Sequence, residues 1–530
     1  MKYTHIPFQK TGFFSKTMSD YLEKNDDIRE FYHNFPDMDG FASQIREKKS
    51  SFQLTSRKVL VDVLHDQYTD VAGSEATLEN INSIQDEDTF TITTGHQLNL
   101  FTGPLYFLYK IISTINLSEM LSDQFPKQHF VPIYWMATED HDFEEINYFN
   151  FKGKKVVWNR TDGGAVGRFS LEGLEAVFTH FSEQLGTSKN ANYLKQLFEK
   201  AYLQQKTLSE ATRYIANELF KEYGLVILDA DDHRLKNEFA PVMKDELLHQ
   251  TSFKSVSKTN TKLEKVYKVQ VNPREINLFY LSENLRERII EEQGQYKVLN
   301  TNITFSKVEI LKELENHSER FSPNVILRPV YQEVILPNLC YIGGGGELAY
   351  WLQLKAYFEL QEISFPILML RNSVQIVSTK QVTKLTNLDI SYEEMFLKKE
   401  QLIAKKVREN SGIQFSFSDA TELLTQQFLA LRRVANETDV SFIGAVDAQQ
   451  RKQLKGLENL EKRLLRAEKR KQSDLVIRIT ALQNQVLPNQ SLEERQRNFS
   501  EYYITHGHDL IFALKKSLKP LQQAFTILEL

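Results

Sequence analysis

Two short polar segments carry the residue types that could do chemistry in this chain. Residues 94–97, Thr-Gly-His-Gln, follow the alternating run of residues 90–93, and Gly103 and Pro104 lie just beyond them. Alternation predicts a strand, and a proline suits the first turn of a helix. Backbone N–H groups at such a helix start favour a phosphate or a carboxylate. The pattern is typical of an anion site and equally of an ordinary strand-to-helix turn.

The second segment, residues 138–145, has five acids and one histidine, and it follows the apolar run of residues 129–137. In open α/β sheets the carboxyl ends of the strands carry the ligand site. Such a cluster could bind a metal, act as an acid or base, or hold an amine. A charged helix start is the alternative, since acids also favour that end of a helix.

A doubly wound parallel sheet would position both segments, because apolar runs alternate with helical periodicity. The polar carboxyl ends of its strands should open on one cleft. Asp231 and His233 follow the third strand, where capping a helix is the favoured interpretation, and Arg286 and Arg288 are interpreted as surface residues. The predicted strands lie near residues 90–94, 130–137, 225–229, 324–328, 339–343 and 366–371.

Four consecutive glycines, residues 343–346, follow the fifth of these predicted strands. Glycines let a backbone approach a ligand closely. The run lacks the Lys-Ser/Thr of a P-loop and the spacing of a dinucleotide fingerprint. A ligand-binding loop and a tight packing turn both remain open.

Composition excludes several classes of protein. The 530 residues carry 65 Lys and Arg against 70 Asp and Glu, a net charge of −5, so a broad basic face for nucleic acid is not expected. No run of about 18 apolar residues exists, so no membrane span is expected. Cys340 is the only cysteine, which excludes an intrachain disulfide and fits a reducing cytoplasm.

Beyond about residue 381 the periodicity is helical almost throughout. In residues 446–486, Leu457, Leu460 and Leu464 recur at spacings of 3 and 4, and the seam is interrupted near Lys471. Dense charges flank it, and Pro488 ends the helix. The pattern predicts a coiled-coil arm that pairs two chains into a homodimer. An all-helical bundle domain is the alternative.

Several motifs together resemble one known family. Residues 94–97, 102–106, 139–142, 327–329 and 346–350, with a late segment at 488–498, look like the bacillithiol biosynthesis cysteine-adding enzymes, in order and across nearly the whole chain. Two positions differ from the family pattern. His96 stands where glutamine is common, and Gly344 with Gly345 stands where Gly-Pro is expected.

The resemblance implies a Rossmann-like parallel-sheet core with two connecting insertions and a C-terminal α-helical coiled coil. It also implies a cytoplasmic, homodimeric cysteine ligase that adds L-cysteine to the glucosamine amine of glucosaminyl malate, in the last step of bacillithiol biosynthesis. The implied boundaries are residues 1–151, 224–240 and 323–384 for the core, 152–223 and 241–322 for the insertions, 385–487 for the coiled coil, and 488–530 for a helical return onto the core.

The expected site residues come from these motifs and from the ends of the predicted strands. His96 is expected to donate a hydrogen bond to an anion, and Asp140 with His141 to bind or deprotonate the incoming amine. Arg328 and Arg371 are candidates for the malyl carboxylates, because guanidinium pairs with them bidentately. The other residues expected to bind substrate or nucleotide are Thr94, Gly95, Gln97, Gly103, Tyr106, Glu139, Asp142, Glu145, Gly343, Gly344, Gly346, Glu347, Asn372 and Ser373.

An amide forms from a carboxylate and an amine only when the carboxylate is activated, so ATP is the expected co-substrate, and no tightly bound metal is expected. The core is similar to class I aminoacyl-tRNA synthetases, but their Lys-Met-Ser-Lys-Ser loop has no match, and residues 370–373 are a loose substitute. Two rival functions remain. One is a nucleotidyltransferase-like enzyme that activates another small carboxylate, and the other is a non-catalytic coiled-coil adaptor. Polar residues at four strand ends favour an enzyme.

Overall fold

The computed structural model describes residues 2–161 and 163–530. The chain forms two compact units. Unit 1 comprises Met1–Gln9, Phe13–Ile376 and Glu493–Leu528, and unit 2 comprises Lys10–Gly12, Val377–Leu492 and Glu529–Leu530.

A five-stranded, fully parallel sheet lies at the centre of unit 1. Its strands run 5-4-1-2-3 in spatial order, which corresponds to five of the six strands of the doubly wound order 3-2-1-4-5-6. Nearly every residue of these strands is buried, as expected for a parallel sheet covered on both faces. The predicted Rossmann-like core is confirmed. In spatial order the strands are Ile367–Leu370, Asn338–Gly343, Thr89–His96, His129–Met136 and Val226–Asp229.

The strand predicted at residues 324–328 is wrong. The strand there is Phe321–Pro323, and it pairs antiparallel in a separate sheet. Oδ1 of Asn324 accepts a hydrogen bond from the backbone N–H of Ile326, which turns the chain. The helix Arg328–Ile335 follows, with a proline in its first turn. A side chain that competes for the backbone therefore ends the extended run after three residues.

That separate sheet has five short antiparallel strands. Arg286 and Arg288 lie two residues apart on one of them, so their side chains share a face of the sheet. Arg286 is only 5% exposed, and its interpretation as a surface residue is wrong. In spatial order the strands are Thr304–Ser306, Gln295–Val298, Leu285–Glu292, Leu278–Ser282 and Phe321–Pro323.

Helices pack on the parallel sheet of unit 1. The helix Tyr106–Gln124 follows the first strand, and it is buried on nearly all sides as far as Ser118 rather than on one face. A helix that is buried on all sides occupies a central position in the core. The other long helices are Met38–Ser51, Leu54–Gln67, Leu174–Leu185, Lys189–Tyr202, Leu208–Phe220, His233–His249, Thr251–Leu263 and Lys307–Asn316.

Shorter elements complete unit 1. A hairpin pairs Tyr148–Phe151 with Lys154–Val157, and a three-stranded sheet holds Lys2–Pro7, Ala524–Glu529 and Val374–Val377 in that order of pairing partners, with Ala524–Glu529 in the middle. Only helices were expected near the end of the chain, so the strand Ala524–Glu529 was missed. The shorter helices include Lys16–Leu22, Glu75–Ser83, Gly345–Trp351, Lys355–Leu360, Ser500–His506 and Asp509–Ser517.

Unit 2 is helical, as predicted. Its longest helix, Val440–Lys471, spans about 48 Å at 1.5 Å per residue. It ends where the predicted leucine seam is interrupted, and Ser473–Val486 begins two residues later. Leu460 in this seam is 52% exposed, whereas Leu457 and Leu464 are half-buried. The other helices are Thr379–Asn387, Lys399–Glu409 and Ser418–Ala435. Nowhere in residues 2–161 and 163–530 is a helix both long and apolar enough to cross a membrane.

Candidate active site

A cavity of about 600 Å³ opens at the carboxyl ends of the parallel strands in unit 1. Gly95 and His96 end the first strand beside it, and Glu347 follows the fourth strand. Asp140 and His141 enter from the loop after the second strand. The first and fourth strands are neighbours at the point where the strand order reverses, and open α/β sheets bind their ligands there.

The cavity is strongly cationic. Three of its guanidiniums, those of Arg274, Arg288 and Arg328, make no hydrogen bond or ion pair with any residue that the structure describes, and Nε of Arg288 is buried. Partnerless arginines in a cavity favour a ligand with several carboxylate or phosphate groups. The cationic side chains that line it are Lys110, Arg274, Arg286, Arg288 and Arg328, and the carboxylates are those of Asp140 and Glu347.

Lys110 and Glu347 form a buried ion pair on the cavity wall. Nζ of Lys110 lies 2.7 Å from Oε2 of Glu347, which also accepts a hydrogen bond from the hydroxyl of Tyr341 at 2.7 Å. Burial lowers the pKa of Lys110 although Glu347 opposes the shift. Burial would raise the pKa of Glu347, but the charge of Lys110 outweighs it and lowers that pKa. The ion pair is neutral as a whole, so Glu347 offsets the charge of Lys110 and not that of the arginines.

The glycine run positions Glu347 and does not line the cavity. The backbone N–H of Gly344 donates to Oε1 of Glu347 at 3.1 Å, in the manner of a capping box. A Cβ on Gly343 would lie 2.9 Å from the ring of Tyr341, so this close approach requires glycine. Gly346 is also absent from the cavity wall. Of the two alternatives for residues 343–346, the structure therefore has the tight packing turn and not the ligand-binding loop.

His96 is a neutral side chain with a free acceptor. Its Nδ1 lies 2.7 Å from the C=O of Gln97, and because a carbonyl only accepts, Nδ1 carries the proton. Burial, reinforced by the charge of Lys110, lowers the pKa of His96 to about 3. Nε2 therefore bears a lone pair, and it is buried with no partner among the described residues. The structure differs here from the expectation that His96 donates to an anion.

His141 has the opposite arrangement. The guanidinium of Arg286 lies 2.7 Å from Nδ1 of His141, and a guanidinium can only donate. The neutral ring consequently carries its proton on Nε2 and presents a donor. Phe279 packs against both side chains and holds the pair in place. As a base for an incoming amine His141 is therefore poorly arranged.

Asp140 supplies the anionic acceptor of the cavity. Its Oδ2 accepts a hydrogen bond from Nε2 of Gln97 at 3.2 Å. Burial opposes ionisation, but the contact with His141 and the charges of Arg328 and Arg286 outweigh it and hold the pKa of Asp140 well below its usual range. A carboxylate that stays ionised suits a cationic or partly cationic amine.

Three predicted ligand residues serve the protein itself. Arg371 forms a buried ion pair with Glu494 at 2.7 Å and donates to Oγ of Ser373 at 3.0 Å. Asn372 accepts a hydrogen bond from Ser113. None of the three lines the cavity. Arg371 was expected to pair with a carboxylate of the substrate, but its carboxylate partner in the structure is Glu494.

Other predicted residues also lie outside this cavity. Thr94 donates to the C=O of Ile342 between two strands, and Glu139 pairs with the buried Lys236 at 2.6 Å. Asp142 is exposed. Gly103 and Glu145 line a second, smaller cavity, and Tyr106 and Gln97 line both. Asp231 is paired with Arg168 and Lys236, and His233 is exposed.

Several cavity residues were missed, and some left a signal in the sequence. Lys110 is the one charged side chain among the buried residues of its helix, and a lysine buried there needs a partner. Arg286 and Arg288 are spaced to share one face of a strand. Arg274 lies outside any helix or strand, and no local pattern marks it. Further missed residues on the cavity wall are Trp135, Asn272, Tyr341 and Tyr350.

The sheet order and the charged cavity at its reversal point define a Rossmann-like protein with a cationic small-molecule cavity. Residues 1–372 match the family model "Bacillithiol biosynthesis BshC, N-terminal Rossmann-like domain", and residues 374–530 match "Bacillithiol biosynthesis BshC, C-terminal coiled-coil domain". The chain belongs to the BshC family of bacillithiol biosynthesis, which confirms the resemblance and the coiled-coil assignment.

Relatives in this family carry the name "Putative cysteine ligase BshC". The chain is 56% identical to the one from Flavobacterium psychrophilum, over 99% of both chains, and 55% identical to the one from Christiangramia forsetii, over 99% of this chain and 98% of that one. A relative from Cytophaga hutchinsonii is 41% identical over 97% of this chain and 96% of its own. A solved putative arginyl-tRNA synthetase from Campylobacter jejuni is similar over 84% of this chain and 98% of its own, but 10% identity and a TM-score of 0.21 carry no argument.

Proposed function

We propose that the protein is a ligase that joins the carboxyl group of L-cysteine to the glucosamine amine of glucosaminyl malate, as the last step of bacillithiol biosynthesis. Family membership and the names of close relatives support cysteine ligation. The observation that supports the second substrate is a group of three guanidiniums in one cavity that have no partner among the described residues. A malyl group brings two carboxylates, and each can pair bidentately with an arginine.

In this proposal the malyl carboxylates bind at Arg328, Arg288 and Arg274, and the sugar amine lies toward Asp140. Nε2 of His96 accepts a hydrogen bond from the amine. The nitrogen gains positive charge as it attacks the carboxyl carbon, and the ionised Asp140 stabilises that charge more in the transition state than before it. His141 donates from Nε2 to an oxygen of the substrate.

ATP is the proposed source of activation for the cysteine carboxylate. The fit with this chain rests on the cationic wall of the cavity, because partnerless guanidiniums suit phosphate oxygens as well as carboxylates. Lys110 is a further candidate for a phosphate contact, although Glu347 already holds it. The glycine run is not part of this proposal, since Glu347 occupies the N–H of Gly344.

We also propose that the protein is a homodimer paired through unit 2. The coiled-coil helix Val440–Lys471 leaves large apolar side chains exposed, among them Leu460 and Phe442. Leu423 and Leu431 are exposed on the neighbouring helix Ser418–Ala435. A second copy that covers this surface would remove it from water.

The experiment is mass spectrometry of the purified protein with L-cysteine, glucosaminyl malate and ATP. The expected product has the summed mass of the two substrates less one water, and it requires all three components. The released nucleotide, AMP or ADP, reports the kind of activation. An adenylated substrate without incorporated cysteine would favour a nucleotidyltransferase, and no binding of any of the three compounds would favour an adaptor.

A further inference from the structure

A second cavity, of about 340 Å³, lies beside the first in unit 1, and the two share Gln97 and Tyr106 in their walls. Ligand cavities span about 300–1,000 Å³, so this one is at the small end and suits a small metabolite. The first cavity is cationic, whereas the second is lined by one acidic side chain, Glu145, and one basic side chain, Arg495. The two cavities therefore differ in the charge of the ligand that they suit.

A segment near the end of the chain builds one wall of this cavity and is firmly anchored. Nδ2 of Asn498 donates to the C=O groups of Phe101 and Gly103 at 2.7 and 2.6 Å. Nδ2 of Asn150 donates to the C=O of Gln496 at 2.8 Å. These bonds hold the backbone that follows residue 495, and the buried ion pair of Glu494 with Arg371 holds the residue before it, so the position of Arg495 on the wall is set by the fold.

A further part of the wall depends on a glycine. Gly103 has a φ of 62°, and a Cβ there would lie 2.7 Å from the Cβ of Asn99. Glycine lets Asn99 come close enough for its Nδ2 to donate to the C=O of Glu145 at 3.2 Å. Asn99 is only 9% exposed, and its Oδ1 is buried with no hydrogen-bond partner in the described part of the chain. A buried amide oxygen without a partner is costly, and a ligand with an N–H group would satisfy it.

The two charges in this cavity do not neutralise each other. Glu145 and Arg495 form no ion pair with each other or with another described residue. Oε2 of Glu145 accepts one hydrogen bond, from Nε2 of Gln97 at 3.0 Å, and keeps further acceptor sites. The guanidinium of Arg495 makes no hydrogen bond within residues 2–161 and 163–530. A ligand that carries both a cation and an anion would complement both side chains at once.

We propose that the smaller cavity binds an α-amino acid as its zwitterion. Glu145 and Oδ1 of Asn99 receive the α-ammonium group, and Arg495 receives the α-carboxylate. Tyr148 and Phe149 also line this cavity and add apolar surface to its wall. The inference rests on the proposed function, in which the amino acid is L-cysteine, and it gives each substrate a cavity of its own.

Gln97 links the two cavities. Its Nε2 donates both to Asp140, in the cationic cavity, and to Glu145, in the smaller one. The amine that attacks and the amino acid that is attacked would thus meet at Gln97 and Tyr106, the residues that the two walls share. Gly103, Tyr106 and Glu145, which the sequence predicted as binding residues, all line the smaller cavity.

The test is equilibrium dialysis of the full-length protein with labelled L-cysteine, without the other substrates. L-Cysteine should bind at least about tenfold more tightly than cysteamine, which lacks the carboxylate, or 3-mercaptopropionate, which lacks the ammonium group. Glu145→Gln and Arg495→Gln should each weaken L-cysteine binding by about 10- to 100-fold, since each removes a charge-assisted contact. Both side chains are exposed, so both variants should fold.

Two further variants are matched controls. Glu144→Gln changes the exposed neighbour of Glu145 and should bind L-cysteine as the wild type does. Arg328→Gln changes the other cavity and should also leave L-cysteine binding unaltered. Wild-type affinity in both Glu145→Gln and Arg495→Gln, or equal affinity of the wild type for L-cysteine and the two truncated thiols, would overturn the amino acid site.

The outcome separates this inference from the proposed function. If L-cysteine binding depends on Glu145 and Arg495 while the wild type forms no cysteinyl product, the site stands and the ligase function fails. If the wild type forms the product while neither variant affects L-cysteine binding, the ligase function stands and the amino acid binds elsewhere.

Discussion

The guanidinium of Arg286 donates a hydrogen bond to Nδ1 of His141 across 2.7 Å, whereas Nδ1 of His96 donates to the C=O of Gln97 at the same distance. These two bonds give the histidines of one cavity opposite tautomers. His141 presents Nε2–H as a donor, and His96 presents Nε2 as an acceptor. A single site can thus give a hydrogen bond to an oxygen and take one from an amine.

The first prediction is that NMR will find these two tautomers. In protein labelled with ¹⁵N on histidine, His141 should carry its proton on Nε2 and His96 on Nδ1 at neutral pH. His141→Asn and His96→Gln assign the signals. Arg286→Met should remove the tautomer preference of His141 and leave that of His96. A proton on Nε2 of His96 would contradict the acceptor role.

The second prediction distinguishes Arg328 from Arg371, which the sequence analysis both proposed as ligands of the malyl carboxylates. Arg328→Gln should raise KM for glucosaminyl malate by about 10- to 100-fold, because a charge-assisted contact is lost. Its Tm should change little, since Arg328 has no partner among the described residues. Steady-state kinetics and thermal unfolding of the same samples provide both quantities.

Arg371→Gln should behave in the opposite way. It leaves the carboxylate of Glu494 buried and uncompensated, and breaking a buried ion pair costs about 3–5 kcal/mol of unfolding free energy. The double variant Arg371→Met with Glu494→Met should recover most of the loss, because it removes both charges. An Arg371→Gln protein with wild-type Tm and a raised KM would indicate instead that Arg371 binds the substrate.

Local patterns predicted the parallel sheet and the residues at its strand ends. A buried strand has a run of apolar residues in the sequence, and polar or glycine residues follow where the strand ends. Gly95, His96 and Asp140 were found in this way. The pattern failed at residues 324–328, where the hydrogen bonds of Asn324 turn an apolar run into a helix start.

Long-range pairing could not be predicted from local patterns. Arg371 and Glu494 are 123 residues apart, and no periodicity joins them. The antiparallel sheet that brings Arg286 and Arg288 to the cavity comes from an insertion whose docking the sequence did not reveal. The tautomers of His96 and His141 depend on single contacts made only in the folded chain.

The third prediction concerns assembly. Leu460→Asp places a charge on a leucine that is 52% exposed, so the fold of unit 2 should survive. A homodimer paired along Val440–Lys471 should dissociate, because a buried unpaired carboxylate at the interface is unfavourable. Sedimentation equilibrium should show a monomer for Leu460→Asp and a dimer for Lys452→Asp, a change of an exposed polar residue on the same helix. A dimer in both variants would place the interface elsewhere.

The last prediction follows from the burial of His96. An unfolded histidine has a pKa of about 6.5, whereas burial lowers the pKa of folded His96 to about 3. Between these values the unfolded chain binds a proton that the folded chain does not bind. Above pH 6.5 the ring is neutral in both the folded and the unfolded chain. As the pH decreases from 6.5 toward 3, folding must remove a proton from His96, so the free energy of unfolding falls.

Glutamine does not titrate, so His96→Gln lacks this dependence while all other groups are shared with the wild type. Relative to His96→Gln, the wild type should lose roughly 1.4 kcal/mol of unfolding free energy for each pH unit below 6.5, or about 2 kcal/mol at pH 5. Thermal unfolding at pH 7.5, 6 and 5 should show a Tm that falls more steeply for the wild type. Parallel Tm profiles would mean that His96 titrates normally, and the free acceptor on Nε2 would then be lost below its ordinary pKa.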